Sequence, residues 1–148
     1  MTVLSSKDSI RIREKYITTF VDTSKEYFLK YIKNICHFKD GARYTGYLWD
    51  CFKFVELKNK EFCQSFLRKK EFFYVFWDLH LVENITIDNY WKYPIDSVLC
   101  TNITELEKQR NELPEDLYLF DDSFTWTIAY THEDDLEGNQ MIYYQERL

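Results

Sequence analysis

Residues 124–131 read Phe-Thr-Trp-Thr-Ile-Ala-Tyr-Thr. In an extended chain Phe124, Trp126, Ile128 and Tyr130 point one way, and Thr125, Thr127, Ala129 and Thr131 the other. This period of two, carried by aromatic rings and β-branched threonines, predicts a half-buried strand. The run stops abruptly at His132-Glu133-Asp134-Asp135. Upstream, residues 117–120 form a second short apolar segment, and Asp121-Asp122-Ser123 has the composition of a turn. Together they predict an antiparallel hairpin with an acidic mouth.

The remaining chain supplies helices first and strands later. Residues 7–21 place Ile10, Tyr16, Ile17, Phe20 and Val21 among charges, which predicts an amphipathic helix. Thr23-Ser24-Lys25-Glu26 matches a capping box with Thr23 as N-cap, opening a second helix over 24–38 that Asp40-Gly41 ends. A short helix is predicted around 48–52 and another over 59–67, where Phe62 and Phe66 lie one turn apart. Residues 72–77 are apolar on both faces and predict a central strand covered on both sides. Residues 79–82 either continue that strand or begin the next. Thr104-Glu105-Leu106-Glu107 is a second capping-box pattern and predicts a short helix that stops before Pro114. Gly138-Asn139 reads as a turn and 141–145 as a last strand. Helices followed by strands predict one α+β domain over 1–148, with N-terminal helices packed on a largely antiparallel sheet formed mainly by the second half.

Charge divides the chain. Residues 1–70 hold 15 Lys and Arg against 8 Asp and Glu, and residues 71–148 hold 4 against 17. The overall charge of −6 disfavours non-specific nucleic-acid binding. The acidic half suits a solvated surface or a face that docks a basic protein. Only three glycines are present, none in a phosphate-cradling loop. No secretory signal or transmembrane run is apparent, so a cytoplasmic protein with reduced cysteines is expected.

No complete catalytic constellation appears, and neither a catalytic residue, a metal-ligand set nor a cofactor is predicted. Cys36 and His37 are neighbours that face apart on a helix. Cys51, Cys63 and Cys100 fall on apolar stripes. His132 with its three acidic followers lacks the spacing of a metal site. Candidate partner-binding residues are the acids and aromatics around the hairpin: Glu115, Asp116, Asp121, Asp122, Trp126, His132, Glu133, Asp134, Asp135, Tyr143 and Tyr144. Trp126 also suits the core, because indole is highly buried on average.

The chain resembles a family of small, mostly bacterial proteins known only as a domain of unknown function. The likeness rests on Tyr47-Leu48-Trp49 with Phe52, on the 60–66 helix running into the 72–77 strand, and on the C-terminal string. That string is Asp116-Leu-Tyr-Leu-Phe-Asp-Asp-Ser-Phe-Thr-Trp126-Thr, then Thr131-His132-Glu133, then Tyr143-Tyr144. Asp50 stands where such proteins often carry a histidine, and Asn139-Gln140-Met141 replaces a Gly-Pro pair. The resemblance implies no established reaction. In size and acidity such proteins are similar to immunity proteins that neutralise bacterial toxins. The expectation is therefore a non-catalytic, immunity- or antitoxin-like protein that binds a basic partner through an acidic-aromatic face. The alternative is a small hydrolase or metal-dependent enzyme using His132 and Glu133.

Overall fold

A computed structural model describes residues 1–33, 36–37, 43–44, 46–78, 93–94 and 96–147, with backbone only at 36–37 and 43–44. The expectations for 79–82 and for the Asp40-Gly41 stop lie outside these residues.

The described elements are β1 (Thr2–Val3), α1 (Ser6–Phe20), a π-helical segment (Phe28–Lys33), β2 (Cys36–His37) and β3 (Arg43–Tyr44). A 3-10 turn (Leu48–Cys51), β4 (Glu56–Lys58), α2 (Lys60–Arg68) and β5 (Phe73–Phe76) follow. The chain closes with β6 (Leu99–Thr101), α3 (Ile103–Gln109), β7 (Leu117–Phe120), β8 (Trp126–Asp134) and β9 (Gln140–Glu146). Seven strands form one sheet in the order β1-β6-β5-β7-β8-β9-β4. Every pairing in it is antiparallel. The fold is α+β, with the sheet built mainly by the second half, as the order of sequence patterns predicts.

Both faces of the sheet are covered. On one face Phe73, Val75, Leu117, Leu119, Trp126, Ile128 and Tyr144 pack with Cys63 and Leu67 of α2 and Leu106 of α3. On the other, Phe76, Tyr118, Phe120 and Ala129 pack with Ile12, Tyr16 and Phe20 of α1 and with Leu48, Trp49 and Cys51 of the 3-10 turn. The alternation in β8 therefore does not mark a half-buried strand, since residues 126–131 are all buried. Its threonines lie inside because they are satisfied there: Thr127 accepts from the Tyr16 hydroxyl at 2.6 Å and donates to the Leu119 carbonyl. The strand also begins at Trp126 rather than Phe124, whose φ of 52° bends the chain at the hairpin turn. Cys51, Cys63 and Cys100 are free thiols.

The inward face of α1 is Ser9, Ile12, Tyr16, Thr19 and Phe20. Ile10, assigned inward by pattern, is half exposed. Ser5 caps the helix by accepting from the Asp8 N–H. Two other caps differ from the sequence expectation. At 22–24 the Asp22 carboxylate, not Thr23, accepts the Ser24 N–H and hydroxyl; the expected helix is present over 26–33, π-helical from Phe28 to Lys33, and Cys36 and His37 lie in a strand. At α3 the Asn102 side chain accepts the Glu105 N–H, so the helix starts before Thr104. In each case an Asp or Asn stands one or two residues ahead of the threonine, and these side chains cap at least as well as threonine. The edge strands β1 and β4, with β6, have two or three residues and carry no alternation to read.

Candidate functional site

The β7–β8 register pairs Leu117 with Tyr130 and Phe120 with Thr127. That register separates the acids into two groups. Glu115, Asp116, His132, Glu133, Asp134 and Asp135 lie at one end of the hairpin. Asp121, Asp122 and Trp126 lie at the other, five extended residues or about 17 Å away.

At the turn end Asp121 is structural. Burial pushes its carboxyl up, but Ser123, the Trp126 indole N–H at 2.6 Å and Lys70 at 3.1 Å together hold it below the usual range. Trp126 is 1% exposed, beneath Phe66 and Lys70. Asp122 alone of the three is exposed. Tyr144 is buried under Phe62 and Phe66. Trp126 and Tyr144 thus belong to the core and offer no contact area.

At the other end Asp116 is 3% exposed and its carboxylate collects three N–H groups. The Trp49 indole donates at 3.2 Å, the His132 main chain at 3.2 Å, and His132 Nδ1 lies 3.1 Å from both oxygens. Arg110 sets the approach to this residue, donating to the Pro114 and Glu115 carbonyls at 2.7 and 2.9 Å. Trp49 is fixed in turn, its N–H donating to the Tyr118 hydroxyl, which donates to Asp78. Tyr47 stacks on Trp49 at 5.1 Å and leans on the His132 ring at 5.0 Å, and Tyr143 meets Trp49 at 5.5 Å. Partial burial raises the Asp50 carboxyl, and the charge of Glu133 pushes it the same way. The same two acids, after burial, raise the Tyr143 hydroxyl. Asp50 and Glu133 therefore flank one partly exposed aromatic patch around His132.

Beyond the patch, residues 132–139 are all exposed and carry Glu133, Asp134, Asp135 and Glu137. Asp135 builds the turn: the Asn139 and Glu137 N–H groups donate to it and hold its carboxyl below the usual range. Gly138, at φ 82°, supplies the left-handed residue that turn needs. His132 also lines a cleft of about 630 Å³ formed by residues of α2, α3 and β8, together with Lys60, Arg110, Tyr130 and Asp134 among others.

Among the described residues no group of three or more His, Cys, Asp or Glu is placed to hold a metal ion. No described helix is long and apolar enough to cross a membrane. Trp49 joins the site from 67 residues before Asp116, with Asp50 next to it in the chain, and no spacing rule in the sequence points to them. The chain matches no protein-family model, no curated protein and no solved structure.

Proposed function

We propose that this chain is a non-catalytic interaction protein of the immunity or antitoxin kind, binding a basic protein partner through the end of the β7–β8 hairpin. One contrast carries the reading. Elsewhere, Asp8, Glu56, Glu105, Glu107 and Asp121 sit within 4.0 Å of a basic group, and the unpaired Glu14, Glu26, Glu61 and Glu71 each follow directly on a Lys or Arg in the chain. At this end Glu115, Glu133, Asp134 and Glu137 are exposed and, among the described residues, form no ion pair. Their mutual repulsion opposes folding, and a basic partner converts it to attraction and to fast, salt-sensitive association. Tyr143, Tyr47 and the edge of His132 supply contact area beside the charges.

Charge reversal at Glu133, Asp134 and Glu137 is expected to slow association with a partner purified from the native host by about tenfold at low salt, with the thermal midpoint preserved. Asp121 and Asp135 are left alone, since one is paired and the other forms a turn. Equal association rates for the reversed protein at low salt overturn the proposal.

The Asp116–His132 pair favours a second reading. With its Nδ1 proton given to Asp116, a neutral His132 keeps its Nε2 lone pair for a proton. A hydrolase would then use Asp116, not Glu133, to orient the imidazole. It requires hydrolysis of p-nitrophenyl acetate that falls about a hundredfold in His132→Gln, and activity unaffected by that substitution removes the reading.

A further inference from the structure

The sheet ends in β4, which pairs with β9 on one side and, among the described residues, has no strand on the other. An open edge exposes unpaired backbone groups and is normally defended by charge, proline or a covering loop. Here the strand is Glu56-Leu57-Lys58, one acid and one base around an exposed leucine, and the residues leading into it are apolar: Phe54 is 70% exposed, Val55 45% and Leu57 60%. Three of the large exposed hydrophobics of the chain thus fall within four consecutive residues at one edge.

We infer that this edge pairs with the same edge of a second copy of the chain, joining two sheets through an antiparallel β4–β4 contact. The sequence of the strand is what singles out a second copy as the occupant. A two-fold axis at Leu57 sets Leu57 opposite Leu57 and Glu56 opposite Lys58, twice over. Glu56 and Lys58 lie on one face of the strand, 3.1 Å apart within the chain, so the cross-chain pairs form on that face. Opposite charges directly across an antiparallel pair stabilise it, and like charges there destabilise it. On the other face Leu57, whose partner in β9 is Tyr143, meets its own symmetry mate. Phe54 and Val55 lead into the strand and extend the apolar contact across the junction.

Sedimentation velocity of the full chain over a concentration series tests this. The mass is expected to rise from 18.2 kDa toward twice that value. Glu56→Lys and Lys58→Glu each place like charges opposite one another, and each is expected to weaken the dimer at least about tenfold. The double variant restores both pairs and is expected to recover wild-type association. The Glu56 side chain is 69% exposed, so Glu56→Lys leaves the fold intact. Lys58 lies over the Phe62 and Tyr144 rings, so its variants are checked by thermal melting. A wild type that stays monomeric throughout overturns the proposal. So does a single charge variant that dimerises as well as the wild type, or a folded double variant no better than the singles.

Discussion

Replacing Trp126 with alanine is expected to cost about 3–5 kcal/mol, seen as a lowered urea midpoint with an unchanged slope. The indole is 1% exposed, meets Phe66 edge-on at 4.9 Å and lies under the Lys70 ammonium at 5.0 Å. Its loss opens a cavity between β8 and α2. It also removes the 2.6 Å N–H donor from Asp121, a carboxylate only 8% exposed. Trp126→Phe fills most of the volume and isolates that second effect. It is expected to cost about 1–3 kcal/mol, the penalty for withdrawing a hydrogen bond from a buried acceptor. A midpoint unmoved by Trp126→Ala contradicts the packing described for β8.

The second large effect is a dependence on pH centred on Asp78. This side chain is 4% exposed. It accepts the Tyr118 hydroxyl and the Leu48 N–H, and the Arg13 guanidinium lies nearby. Burial outweighs these partners and pushes the carboxyl from its ordinary 3.8 up to about 7. A raised value means that the folded protein holds the proton more tightly than the unfolded chain. The stabilisation is therefore complete below about pH 4 and is lost as pH rises through 7, a total of about 4 kcal/mol. Asp78→Asn cannot ionise and is expected to remove that slope. Asparagine resembles the protonated acid, with one full acceptor oxygen, so the variant is close to the wild type at pH 5 and equal or better at pH 8. Urea midpoints from pH 4 to 8 check this, and parallel curves for the two proteins refute it.

The sheet was legible where side chains repeat and burial is continuous. Residues 72–77 are apolar on both faces because β5 lies between two strands and under helices on each side. The same logic misjudged β8. Alternating threonines look solvent-facing, but Thr127 and Thr131 satisfy their hydroxyls on the Leu119 and Met141 carbonyls and are wholly buried. Capping patterns misled for a local reason, since Asp22 and Asn102 reach the free N–H groups before the threonines that complete the pattern. The site divides in a similar way. Pairing of 117–120 with the following strand brings Asp116 toward 131–132, so the hairpin itself contains half of the Asp116–His132 contact. Trp49 and Asp50 arrive from another part of the chain. Only the packing of the 3-10 turn against Tyr118 and Tyr143 brings them there.

The contacts that hold α1 reach almost the full length of the chain. Tyr16 bonds Thr127, and the Phe20 carbonyl accepts the Gln145 amide, 125 residues later. During synthesis α1 leaves the ribosome with its apolar face formed and no sheet to cover it. At about 5–20 residues per second the wait for β9 is on the order of ten seconds. β9 is also an interior strand, so β4, made much earlier, has no neighbour until residues 140–146 emerge. A piece that ends before β9 lacks the Gln145 bond to Phe20 and the neighbour of β4. A chain stopped a few residues short of 140–146 exposes both the helix face and the sheet edge, and is a ready substrate for chaperones or proteases.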